Sequence, residues 1–180
     1  MKTPLPLSRL SLSRLSLSRL SLSRLSLVVA AVLLGLPGAA SAARYPQPVT
    51  DAIERALDDE YQAEALYSVA IAAFGEQRPF TNIIRAERRH QEMLKDLLRA
   101  SGTPIPANGW LDGTKPRPEV PATRQAACAA GVAAEVANAD LYDKDLLPKV
   151  VNYPEVTRVF TALRDASQQR HLPALRRCAR

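Results

Sequence analysis

Between residues 48 and 178 the apolar positions recur at the three- and four-residue spacing of an amphipathic helix, and no segment alternates with the period of a strand. Proline and glycine divide this span into four helical stretches, so an all-α fold without a sheet is predicted. The first helix is expected to start at Asp51, with Glu54 three residues on completing a capping box, and to run to Phe74 before Gly75. The second is expected from about Pro79 to Ser101-Gly102. Residues 103–121 hold Pro104, Pro106, Pro116, Pro118 and Pro121 together with Asn108-Gly109 and Asp112-Gly113, the composition of one long loop, with Trp110 lying over the helices. A third helix is predicted from about Ala122 to Leu147, stopped by Pro148. The fourth should begin near Pro154 and reach at least His171, where Pro173 kinks or ends it.

The chemistry lies in what interrupts the apolar stripes. In the first helix, Ile53, Glu60, Tyr67 and Phe74 are seven apart, so an acid occupies a core position. The second presents Phe80, Ile84, Leu94 and Leu97 on a face shared with Glu87 and His90, which are three apart and stack on one side. Val132, Glu135, Tyr142 and Leu146 repeat the first pattern, and Phe160, Leu163, Gln168, His171 and Leu175 approximate the second. The halves therefore match: Glu followed by Tyr at 60/67 and 135/142, then a polar pair at 87/90 and 168/171. Both histidines of the chain fall at equivalent places, as expected for two helical hairpins packed face to face.

An uncompensated carboxylate in an apolar core costs several kcal/mol or takes up a proton, and neighbouring carboxylates repel. A pair of divalent cations removes both penalties, and carboxylates with imidazole suit iron, manganese or zinc. The midpoint between Glu135 and His171 is residue 153, close to the Pro148–Pro154 turn, so both can sit at one height on antiparallel helices. For Glu60 and Glu87 the midpoint falls a few residues before the turn, and Glu64 fits slightly better, which makes Glu64 a reserve ligand. Glu87 with His90 has a plainer reading as a satisfied core hydrogen-bond pair, and Glu60 and Glu135 as buried acids paired with the other helix's tyrosine or histidine. Tyr67 and Tyr142 read as core aromatics, or as hydrogen-bond donors to ligating carboxylates.

Charge changes the picture only at the N-terminus. The formal net charge is +6, but Lys2, Arg9, Arg14, Arg19 and Arg24 precede residue 43, where there is no acid. The remainder carries 19 basic and 18 acidic side chains, about +1, and has no basic stripe with interleaved aromatics, which argues against a nucleic-acid partner. Residues 1–42 read as a secretory signal peptide: a basic start, an apolar run from Leu27 to Leu36, and Ala40-Ser41-Ala42 for cleavage before Ala43. Its four Ser-Arg-Leu-Ser-Leu repeats, from Ser8 to Leu27, have a period that matches no helix face, and they read as a lengthened basic region. A periplasmic or secreted protein with a folded domain over 43–180 and no permanent membrane span is the resulting expectation. In an oxidising compartment, Cys128 and Cys178 should pair. They lie seven before Glu135 and seven after His171, displaced in the same direction along antiparallel helices.

The runs Ala56-Leu-Asp-Asp-Glu-Tyr-Gln-Ala-Glu-Ala-Leu-Tyr67 and Arg78-Pro-Phe-Thr-Asn-Ile-Ile-Arg-Ala-Glu-Arg-Arg-His90 resemble the ferritin-like superfamily, particularly rubrerythrin-type domains and an uncharacterised ferritin-like family. The resemblance implies a ferritin-like four-helix bundle of two antiparallel hairpins joined by the Pro-rich crossover. It also implies metal ligation by Glu60, Glu87, His90, Glu135 and His171. Gln168 departs from the pattern where a second Glu-x-x-His would have its acid, so the second ion would be bound weakly, held with help from Asp165 or water, or absent. Two functions follow. One is a di-iron carboxylate protein acting in iron or O2/peroxide chemistry, a ferroxidase- or peroxidase-like oxidoreductase; the other is a non-enzymatic helical module with a degenerate metal site, serving envelope stress or protein interaction. A homodimer is compatible with either.

Overall fold

The computed structural model describes residues 45–119 and 121–180; the signal-peptide reading of residues 1–42 falls outside them. The described chain is all-helical, and no strand occurs among the described residues. Helix α1 (Gln47–Phe74) pairs with α2 (Phe80–Ser101) through a short turn, forming the first hairpin. A four-residue helix, α3 (Gly109–Asp112), interrupts the predicted loop. The second hairpin comprises α4 (Arg124–Leu141), continued by α5 (Leu147–Lys149), and then α6 (Pro154–Ala166), continued by α7 (Leu172–Cys178). Around the interior, α1 touches both α2 and α4, α4 touches α7, and α6 touches α2. None of the described helices is long and apolar enough to cross a membrane.

Helix α1 starts four residues earlier than expected, and Asp51 is not its cap. Pro46 occupies the cap position and Pro48 the first turn, where a missing N–H costs nothing; Asp51 instead accepts a hydrogen bond from Gln47 Nε2 at 2.7 Å. The end of α2 follows the sequence: Gly102 takes φ 71°, its N–H bonds to Arg99 O, and the Thr103 N–H reaches Leu98 O at 3.0 Å. That left-handed turn satisfies carbonyls that would otherwise lack donors. In the crossover, Asn108 caps α3 by accepting from the Trp110 N–H, and Trp110 Nε1 donates to Asp58 Oδ1 at 3.1 Å, so this tryptophan lies against the helices as expected.

The third rod ends at Lys149, one residue beyond Pro148 and close to where it was expected to stop, whereas the fourth runs through Pro173 to Cys178 without a break. The two prolines share one local feature. Each is preceded by one wide π-helical turn, Tyr142–Leu146 and Ser167–His171, closed by i to i−5 bonds from the Leu147 N–H to Tyr142 O and from the Leu172 N–H to Ser167 O. A proline ring collides with the carbonyl four residues back and gives it no hydrogen bond. Those carbonyls belong to Lys144 and Gln169, both inside the wide turns, which accommodate the ring without ending the helix.

Two apolar clusters fill the interior. One gathers Ile53, Leu57, Leu94, Leu98, Leu146 and Phe160; the other gathers Ala70, Phe80, Ile83, Cys128 and Leu175. Cys128 and Cys178 form the expected disulfide, Cα–Cα 5.7 Å, tying α4 to α7 at the second cluster. Nearby, a Cβ on Gly131 would stand 2.8 Å from Leu175 Cδ2, so glycine is what allows α4 this close to α7. The disulfide spans 50 residues, and by chain entropy alone its removal costs about 4 kcal/mol. The Cys128→Ala/Cys178→Ala double variant should lose stability of that order in urea unfolding; an unchanged midpoint would show that the cross-link contributes nothing.

Candidate metal centre

Along every rod the polar residues sit between the two apolar clusters. Helix α1 reads Ile53 and Leu57, then Glu60, then Ala70; α2 reads Ile83, then Glu87 and His90, then Leu94. In the second hairpin Glu135 lies between Cys128 and Leu146, and His171 between Leu163 and Leu175. Glu60, Glu87, His90, Glu135 and His171 are all buried. They come together as two trios, Glu60–Glu87–His90 and Glu87–Glu135–His171, with ligand-capable atoms of each trio within 4.8 Å of one another.

Glu87 belongs to both. Its Oε2 lies 3.0 Å from His90 Nδ1, and its Oε1 lies 3.0 Å from His171 Nδ1. Glu60 Oε2 is 3.2 Å from His90 Nδ1, and Glu135 Oε1 is 3.4 Å from His171 Nδ1. The two imidazoles are nearly parallel with centroids 5.7 Å apart. Ligands about 2.1 Å from a common transition ion stand about 3.0–3.4 Å from each other in octahedral or tetrahedral arrangements, so these separations match the edges of a coordination shell. His171 Nδ1 strengthens the fit: it is buried, yet it makes no well-aligned hydrogen bond even with Glu87 Oε1 at 3.0 Å. A nitrogen and an oxygen placed this way can both face one ion.

The tyrosines cross between hairpins. Tyr67 Oη of α1 donates to Glu135 Oε1 at 2.6 Å, and Tyr142 Oη, at the start of the first wide turn, donates to Glu60 Oε1 at 3.2 Å. Burial, followed by the neighbouring carboxylates, raises both phenols well above their usual range, so they remain donors. Core aromatic and carboxylate-orienting roles thus coincide in each.

The reserve residues lie elsewhere. Glu64 is buried but already paired, with Arg88 Nε at 2.7 Å and Gln91 Nε2 at 2.8 Å. Gln168 is exposed and donates to Asp143 Oδ2, while Asp165 pairs with Arg164. The expected 168/171 pair is not formed because three residues along a wide turn do not return to the same face; Ser167 is buried in its place. Sequence reading missed Asp59 and Asn138. Asn138 Nδ2 donates to Asp59 Oδ2 at 2.7 Å, and both line a small opening of about 120 Å³ between α1 and α4 that reaches Glu135. The available signal was position, since Asn138 is three residues after Glu135 on the same helix face.

Without a metal, the network is held by protons. Burial opposes the charged imidazoles, but the carboxylates prevail: Glu60 and Glu87 raise His90 to about 9, and Glu135 and Glu87 raise His171 to about 10. Burial and Glu87 push Glu60 well above its usual range, whereas the imidazoles of His171 and His90 beside it overcome burial and lower Glu87. No known protein family, characterised protein or solved structure matches the chain.

Two predictions follow from this geometry. The folded histidines titrate above the unfolded value of about 6.5, so their stabilisation is complete below that pH and lost as pH rises through about 9 to 10. Metal-free protein should therefore lose urea stability between pH 6.5 and 10, and a flat or rising profile would contradict the pairing. Tyr67→Phe should destabilise the protein by about 1–3 kcal/mol by removing a buried donor to Glu135, read by thermal unfolding.

Proposed function

We propose that this chain is an exported protein with a ferritin-like four-helix bundle, in which Glu60, Glu87, His90, Glu135 and His171 bind two divalent ions, with iron first and manganese or zinc as alternatives. The reading rests above all on Glu87, whose two oxygens each face a different buried histidine. Such a carboxylate is suited to bridging two ions, with Glu60 and His90 completing one site and Glu135 and His171 the other. Tyr67 and Tyr142 would hold the outer carboxylates in orientation and leave their remaining lone pairs for metal. The apolar clusters on either side would close the pair off along the bundle axis, leaving the groove at His90 and His171 and the opening at Glu135 as the ways in. A bound iron pair would supply redox chemistry toward iron oxidation or the reduction of O2 or peroxide.

A second reading, a helical module that does without metal, has its own support. Every one of the three carboxylates already has protein partners, and with both histidines protonated the cluster carries a net charge of only −1. Only one carboxylate is shared, because Ser167 rather than an acid turns inward from the fourth rod.

Anaerobic Fe(II) titration separates the two. Two ions per chain are expected in the wild type, one or none in Glu87→Ala, and one in Glu60→Ala, by metal analysis after desalting. A wild-type chain that retains no iron, manganese or zinc after reconstitution would favour the metal-free module.

A further inference from the structure

On the face formed by α2 and the α6–α7 rod lies a groove of about 1010 Å³ that reaches both His90 and His171. Its charged lining is otherwise all guanidinium: Arg78, Arg89, Arg124, Arg170, Arg177 and Arg180, contributed by three separate stretches of chain. Among the described residues, no Asp or Glu side chain lines it. Arg55, Arg88, Arg99 and Arg164 each have a carboxylate partner, whereas among the described residues none of the six groove arginines forms an ion pair.

This concentration is local. The chain beyond residue 42 is nearly balanced, with 19 basic and 18 acidic side chains, so the excess on this face is matched by acids elsewhere. Like charges gathered in a concavity with low-dielectric walls reinforce one another's potential. Such a mouth repels a bare divalent cation and draws in anions. The opening between α1 and α4 has the opposite character, with Asp59 and Glu135 in its lining. Guanidinium groups bind carboxylate and phosphate through paired, parallel hydrogen bonds, and six of them suit a ligand with several oxyanion groups. The volume is that of a small-molecule site.

We propose that this groove binds a small multivalent oxyanion, a polycarboxylate or a compound bearing phosphate, against the face that carries His90 and His171. The site is independent of a bound metal and is tested on metal-free protein, so it can fail while the metal reading stands, and the reverse.

The test is isothermal titration of the full metal-free chain with citrate and with pyrophosphate, against acetate at matched ionic strength. Saturable one-to-one binding of citrate or pyrophosphate is expected, with none for acetate. A preference for citrate identifies a carboxylate source and a preference for pyrophosphate a phosphate source. Arg89→Gln/Arg170→Gln should weaken binding at least tenfold, while Arg99→Gln, outside the groove, should leave it unchanged. Both groove arginines are exposed, so the double variant should fold, as circular dichroism would verify. Three results would overturn the proposal: no saturable binding by wild type, equal weakening by Arg99→Gln, or binding to anionic lipid vesicles without binding to either small anion. Wild-type binding that fails to distinguish citrate and pyrophosphate from acetate would overturn it as well, whatever the variants do.

Discussion

Three carboxylates and two imidazoles share one level of a helical interior, with apolar residues above and below them on every rod. The rest of the molecule answers to that constraint. Burial leaves little water to compensate these charges, so most of the compensation comes from within the layer, from protons or from cations. Glu87 is the pivot because, among the described residues, it is the only acid in contact with both histidines, and its own charge is stabilised by both. The crossed tyrosines extend the same network between hairpins: each hairpin supplies the donor that orients the other's carboxylate. Packing of the two hairpins against each other therefore completes the site.

The two wide turns are the local devices that allow this. Both begin six residues before a proline, and both carry a residue of the site: Tyr142 opens the first and His171 closes the second. One extra residue in a turn rotates everything beyond it by about 100° relative to an α-helix. In the fourth rod Ser167 faces inward one helical turn after Leu163, the wide turn brings His171 and Leu175 round to the same side, and Gln168 is left outward. It is also compatible with the disulfide, because the helix continues beyond Pro173 to bring Cys178 against Cys128 instead of veering away.

The surroundings are sorted by charge. Acidic and amide groups flank the narrow opening at the α1–α4 seam, while arginines line the broad groove on the opposite pairing of helices. A nearly neutral chain can present both because helices separate their faces: residues a few positions apart in sequence look out in different directions.

Much of this was legible in the linear order of residues. Helical periodicity alone identified Glu60, Glu87, His90, Glu135 and His171 as inward-facing, and equal seven-residue offsets from Glu135 and His171 brought Cys128 and Cys178 together. Periodicity works for these because it records which face of a helix turns inward. It does not record what stands opposite. That Glu87 is shared, that Tyr67 reaches Glu135 instead of its own hairpin's acid, and that Glu64 is claimed by Arg88 and Gln91 depend on how rods settle against one another. The exchange of Gln168 for Ser167 needed something further, since a template of 3.6 residues per turn has no place for a π-turn. Only the folded chain, relieving its prolines while closing its core, decided where that extra residue would go.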